Sequence, residues 1–262
     1  MSASLVGSEM CIRDRFNTAV IFIAGKDITL RNLTIESTAG PGYLAGQALA
    51  VYAAADRLSC YNCRFTGWQD TIFNGDPMTC NMKKLMLPDF FQASEVPIVH
   101  KFYRNYFKDC YVCGDVDYIF GPNTAFFDHC EIHSIARVSE GKAYITAAST
   151  PAGQEFGLVF SHCRITGEEP DSVYLGRPWR DCAKTAFICC ELGDHICPEG
   201  WQNWGKVRAE VLSDYIEYGN FGPGADCSGR SPLSRCLVNP EVETYFSKEN
   251  VLVGEDGWIP AE

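Results

Sequence analysis

No hydrophobic run in this 262-residue chain is long enough to cross a membrane, and no Pro-, Gly- or Ser-rich stretch divides it into separable units. One domain is expected, since 46% apolar residues suffice for a single elongated core. A basic excess is also lacking. At a formal net charge of −11 the chain has no cationic footprint for nucleic-acid phosphates, and a polyanionic ligand would have to be met by local cations such as Arg177 or Arg180. There is no Gly-x-Ser-x-Gly elbow and no His-Glu-x-x-His helix; Gly229-Arg-Ser-Pro-Leu233 fails at its last position. The five histidines show no triad spacing, and no secretory apolar stretch opens the chain. Asn-Gly and Asp-Gly hairpin turns at regular spacing are scarce, which counts against an antiparallel sandwich.

What the chain does have is a repeat. An apolar-x-x-Leu/Cys-x-apolar core followed by a small or turn residue occurs six times. The copies are Leu30/Leu33/Ile35/Ser37, Cys60/Cys63/Phe65/Gly67, Phe107/Cys110/Val112/Gly114, Phe127/Cys130/Ile132/Ser134, Phe160/Cys163/Ile165/Gly167 and Phe187/Cys190/Leu192/Asp194. Alternating apolar positions closed by a turn residue mark short strands, and uneven spacing marks coils with loops of different length. The fold expected is all-β, a right-handed single-stranded parallel β-helix. His129 and His162 share one repeat position, just before the column cysteine, and read as turn residues. The sequon Asn32-Leu-Thr34 falls in an expected strand and reads as accidental.

Fourteen cysteines raise the question of zinc or disulfides. Cys60-x-x-Cys63 and Cys110-x-x-Cys113 have the pair spacing of a zinc ribbon but stand too far apart in sequence. Cys63, Cys110, Cys130, Cys163 and Cys190 share one repeat column, where a small buried thiol packs well. They read as free core thiols, and no metal or other cofactor is expected. Cys227 and Cys236, in a loop-like tail, are the best disulfide pair.

The repeat also brings two carboxylates together. Asp70 and Asp117 each lie seven residues after a column cysteine, Cys63 and Cys110. In a coiled parallel architecture equivalent positions of adjacent strands sit about 4.8 Å apart. Such a pair can split acid and base roles. One difficulty is local: Gln69 and Asp70 are adjacent, so strand alternation would send them to opposite faces unless the chain bends, and Gly67 offers a turn just before them.

Four segments, Gly46-Gln-Ala-Leu-Ala-Val51, Gly67-Trp-Gln-Asp-Thr-Ile-Phe73, Asp115-Val-Asp-Tyr-Ile-Phe-Gly121 and Tyr174-Leu-Gly-Arg-Pro-Trp179, resemble in order the four signatures of the pectin methylesterases. Similarity runs from about Ile21 to Gly254-Glu-Asp-Gly-Trp258. The bacterial branch is resembled more closely, through Tyr144-Ile-Thr-Ala-Ala-Ser-Thr150 and the segment from Asn74 to His100. The resemblance implies a parallel β-helix of the pectin-lyase-like kind that removes methyl esters from galacturonate units of pectin. It implies Asp117 as nucleophile, Asp70 as general acid and base, Gln47 and Gln69 as oxyanion donors, and Arg177 as the cation that keeps Asp117 ionised. Trp179 would stack on sugar, with Phe73, Val116 and Phe120 lining the groove. The partner implied is methyl-esterified pectin, met by a monomer with no nucleic acid or membrane involved.

Two departures from the family pattern shape the domain reading. Met1 to Arg15 does not match it and reads as an adaptor-like, non-native segment, leaving residues 16–262 as the domain. The early Gly-x-Tyr-x-Glu signature is missing, so the first coil is expected to be absent. Localisation stays open: the resemblance leans to export, extracellular or periplasmic, while the cysteine content suits a reducing compartment. The alternatives are another β-helical polyuronate enzyme, a lyase or glycosidase, and an inactive carbohydrate-binding fragment. A lyase would call for an acid-rich calcium site, which is not evident around Asp70 and Asp117.

Overall fold

A computed structural model of the chain describes residues 18–75 and 103–261. The segment read as non-native and most of the stretch from Asn74 to His100 lie outside the described residues. The first coil is β1 (Ile21–Arg31) and β2 (Thr34–Glu36); the second is α1 (Gly42–Ala45), β3 (Val51–Tyr61) and β4 (Arg64–Thr66); the third is β5 (Ile72–Asn74), β6 (Arg104–Lys108) and β7 (Tyr111–Gly114). The fourth is β8 (Val116–Gly121), β9 (Thr124–Asp128) and β10 (Glu131–Ser134), and the fifth β11 (Ala143–Ala148), β12 (Leu158–Ser161) and β13 (Arg164–Gly167). The sixth is β14 (Val173–Gly176), β15 (Lys184–Ile188) and β16 (Glu191–Leu192). After it come α2 (Ala209–Leu212), β17 (Asp214–Tyr218), β18 (Ser234–Leu237), α3 (Glu241–Tyr245) and α4 (Lys248–Leu252).

Among the described residues these strands pair in parallel throughout. The chain is the parallel β-helix that the repeat calls for, and the antiparallel sandwich is set aside. Its first face runs β3-β5-β8-β11-β14, its second β3-β6-β9-β12-β15-β17-β18 and its third β2-β4-β7-β10-β13-β16. In β1 and β3 the first two faces form one unbroken strand, which the sequence did not disclose.

The repeat register is the structural register. Leu30 pairs with Cys60, Cys60 with Phe107, Phe107 with Phe127, Phe127 with Phe160 and Phe160 with Phe187. The four phenylalanines stack at 4.6, 4.7 and 4.5 Å between ring centroids, within 10° of parallel. Each is fully buried, a contribution of roughly 1.5–3 kcal/mol per ring. The five column cysteines are free and buried. Their thiols bridge the corner that follows the second face: the Cys63 and Cys110 sulfurs each donate to a carbonyl two residues back at 3.3 Å, while the Cys63 amide donates to the Cys110 sulfur at 3.5 Å. A small side chain that both donates and accepts suits a place where the strand ladder is interrupted. Cys227 and Cys236 are disulfide-bonded.

Just before that column runs a second one, Asn32, Asn62, Asp109, His129, His162 and Cys189, all with φ between 49° and 57°. Left-handed backbone turns the chain from the second face to the third, and Asn and Asp tolerate it best. The two histidines are turn residues here, and Asn32 sits in this turn, not in a strand. Its Oδ1 accepts from Asn62 Nδ2 at 2.7 Å.

His195 is buried in the next corner against Gly167 and Gly193, and neither ring nitrogen has a hydrogen-bond partner among the described residues. Burial pushes its pKa down to about 4. The unfolded chain, with a histidine near 6.5, then binds the proton that the folded chain refuses. Stability from this group is complete above pH 6.5 and is lost as pH falls toward 4, by up to roughly 3 kcal/mol. Urea unfolding of the wild type and His195→Leu across pH 7 to 4 should show the smaller acid loss in the variant; equal slopes would remove the assignment.

Candidate active site

The register that sets Cys60 on Phe107 also stacks the two aspartates. Phe65 pairs with Val112 and Ile72 with Ile119, and the same offset carries Asp70 onto Asp117. The Asp70 amide donates to the Val116 carbonyl at 3.0 Å, and the Asp115 amide to the Trp68 carbonyl at 3.2 Å. Both aspartates are buried, Asp70 at 1% exposure and Asp117 at 6%. Both also have left-handed backbone, with φ of 66° and 50°. The bend needed between Gln69 and Asp70 is therefore made by Asp70 itself. Gly67 does a different job: a Cβ there would lie 2.8 Å from Thr71 Oγ1, which donates to the Cys113 carbonyl at 3.0 Å. At Asp117 the register with β11 shifts, because three steps from Val116 to Ile119 face two from Tyr144 to Thr146. This bulge re-aims the side chain at that position.

One coil earlier, the Ala48 amide donates to the Gln69 carbonyl at 3.2 Å, so Gln47 and Gln69 belong to neighbouring coils at the entry to the first face. Gln69 lies across α1, where a Cβ on Gly42 would come within 2.2 Å of its Oε1 and 2.8 Å of its Cβ. Arg177 follows β14 and grips Asp117 with both arms, Nε to Oδ1 and a terminal nitrogen to Oδ2, each at 2.8 Å. Gln47, Gln69, Asp70, Asp117 and Arg177 thus come from coils two, three, four and six, on one face.

The sequence left out what holds Arg177. Its guanidinium carbon lies 3.8 Å from the ring centre of Tyr144 and 3.8 Å from that of Trp204, on β11 and on the segment before α2. Tyr174 stacks behind Tyr144 at 5.3 Å, and Lys206 Nζ lies 4.6 Å from the Trp204 ring. A planar cation between two rings keeps its orientation and gains from both faces. Lys206 donates to the Pro178 and Trp179 carbonyls at 2.6 and 2.9 Å; burial, then Arg180, pushes its pKa down. With Arg180, 4.9 Å from the Trp179 ring, these cations gather at the site of a chain that is acidic overall. Beside Asp117, burial pushes the Asp115 carboxyl up.

Trp179 packs edge to face on Phe73 and Phe120, at 6.3 and 5.6 Å. Phe73 and Phe120 are fully buried and Val116 is 5% exposed. As placed, they form a floor under Trp179 and beside the aspartates, with no open ring face of their own. Among the described residues, the groupings of His, Cys, Asp and Glu close enough to share a cation include neither Asp70 nor Asp117.

Known proteins resemble this chain over most of its length. A profile of the Pectinesterase family matches residues 2–76 and 92–255, and so includes part of the segment set aside at the start of the chain. Pectinesterase 31 of Arabidopsis thaliana is 36% identical over 86% of this chain and 62% of its own length, and putative pectinesterase 11 of the same plant 30% identical over 94% and 60%. The chain thus spans about 60% of the length of these relatives. Among solved structures, a pectin methylesterase from carrot is 26% identical with a TM-score of 0.76, covering 95% of this chain and 73% of that one. The enzyme from Erwinia chrysanthemi is 25% identical with a TM-score of 0.70, covering 94% and 75%. A pectin methylesterase in complex with a hexasaccharide is 26% identical with a TM-score of 0.68, covering 94% and 74%. The leaning toward the bacterial branch is not supported, because the relatives at 36% and 30% identity are plant sequences. With matches across most of its length and this face of carboxylates, amides and arginine, the chain belongs to the pectinesterase family.

Proposed function

We propose that this protein hydrolyses methyl esters of galacturonate units in pectin, working as a monomer. The observation that carries the reading is the two-armed grip of Arg177 on Asp117. A carboxylate held by a guanidinium favours its charged form and so serves as a nucleophile. It is badly suited to the protonated role of a glycosidase acid. A carboxylate oxygen has two lone-pair sites, so one hydrogen bond from the guanidinium does not exhaust it.

In the proposed sequence an Asp117 oxygen attacks the ester carbonyl and Gln47 and Gln69 amides receive the oxyanion. The C–O bond to methoxide breaks, and Asp70 gives its proton to the departing methanol. Asp70 then takes one proton from water, whose oxygen attacks the acyl carbonyl; the bond to Asp117 breaks, Asp117 leaves as the carboxylate, and the galacturonic acid product loses the remaining proton to solvent. A related pectin methylesterase solved with a hexasaccharide supports an oligosaccharide ligand. The test is methanol release from methylated pectin, scored beside unsaturated-product absorbance and reducing ends. Either of the latter without methanol would favour a lyase or a glycosidase, and no change in any would favour a binding fragment.

The close approach of Gly42 to Gln69 gives a sharper test of the oxyanion role. Gly42→Ala needs no unusual backbone, but its Cβ would displace Gln69. Losing one oxyanion donor should cost roughly 10²–10³ in kcat. Stability to urea should change little; full activity would remove Gln69 from the chemistry.

A further inference from the structure

We propose that His162, Cys189 and Glu243 form a binding site for one zinc-class divalent cation, at the corner between the second and third faces. The register builds two thirds of it. Ser161 pairs with Ile188, so the next residues, His162 and Cys189, occupy the same left-handed turn position in neighbouring coils, with φ of 53° each. Equivalent positions lie about 4.8 Å apart. The third ligand comes from α3, which lays Glu243 over this corner with Oε1 3.8 Å from His162 Nε2. The imidazole nitrogen, thiol sulfur and carboxylate oxygen all lie within 4.8 Å of one another. Zinc bonds of the usual lengths place tetrahedral donors roughly 3.3–3.8 Å apart, so small side-chain rotations close the set.

The histidine is already oriented for this. Ser161 Oγ lies 3.0 Å from His162 Nδ1, which leaves Nε2, on the Glu243 side, for a metal, as outer-shell partners of metal-bound imidazoles do. His129 stacks on the same ring at 5.2 Å and 7°, and is itself held through Nδ1 by Asp128 at 2.6 Å. The donor set selects the ion. Thiolate and imidazole disfavour calcium and magnesium, and a carboxylate oxygen disfavours copper(I), which leaves the zinc class. His162 and Glu243 are exposed, so a fourth position is open to water. The other such grouping, Glu217 with Cys227 and Cys236, has its thiols bonded to each other. The cation would tie the C-terminal helix α3 to the coils, away from the face that carries Asp117.

Cobalt(II) is the probe. The chelator-stripped chain, with its Cys227–Cys236 disulfide left intact, should take up one equivalent with a thiolate charge-transfer band in the near ultraviolet, and zinc should displace it. Cys189→Ser should lose the band. His162→Ala and Glu243→Gln should weaken uptake by at least roughly 10–100-fold, since even outer-shell changes cost that much. Zinc should raise the unfolding temperature of the wild type and not that of Glu243→Gln, whose exposed side chain is dispensable to the fold. No cobalt uptake, or a band that persists in Cys189→Ser, would overturn the site. None of these readouts depends on ester hydrolysis.

Discussion

Asp117→Asn is expected to abolish methanol release while the chain stays folded. The amide removes the charge that attacks, and the loss should reach roughly 10⁴-fold or more, as when a covalent nucleophile is deleted elsewhere. Asparagine is the informative replacement because position 117 has a φ of 50°, which Asn adopts as readily as Asp and Ala does not. A circular dichroism spectrum and urea midpoint close to wild type would show that the β-helix survives. Turnover above about a hundredth of wild type would rule out covalent attack by this residue.

Arg177→Lys is the second large effect. Lysine cannot make the two parallel hydrogen bonds at 2.8 Å, and an ammonium does not fill the flat space between Tyr144 and Trp204. Turnover should fall by roughly 10²-fold or more. KM should change little, since the guanidinium holds the nucleophile and not the sugar. The acidic limb of the pH–rate profile should move upward, because a carboxylate deprived of its guanidinium is protonated at higher pH. Full activity with an unmoved acidic limb would reduce Arg177 to a turn residue.

What is legible in the sequence follows from how this fold repeats. One position per coil carries each column, so Phe107, Phe127, Phe160 and Phe187 announce their neighbours, and the offset that sets Cys60 on Phe107 also sets Asp70 on Asp117. Arg177 is legible only through its family signature, because it lies two coils beyond Asp117 and no column connects them. Tyr144 and Trp204 are not legible as its holders. Aromatic residues are common on every face, and Trp204 belongs to an irregular segment with no column to mark it. The bend at Asp70 reads as the work of Gly67 because glycine is the usual turn residue, whereas a left-handed aspartate makes the same turn. The convergence of His162, Cys189 and Glu243 needs the tail helix in place, and no local pattern fixes where that helix docks.

The distribution of the site over successive coils has a consequence for how the protein is made. Each coil rests on the one before it, so a β-helix can be laid down in order as the chain emerges, with every new coil using the last as its template. The carboxylates stack once the fourth coil is in place, but the arginine that grips Asp117 arrives with the sixth, and the second ring that holds it comes later still, at Trp204. Until then Asp117 stands without its cation in a tightly packed setting, an unfavourable state. Docking of the sixth coil relieves it. A nascent chain stalled between Asp117 and Arg177 should therefore hold stacked coils and hydrolyse nothing, and the step that completes the site should also be the one that locks the growing stack.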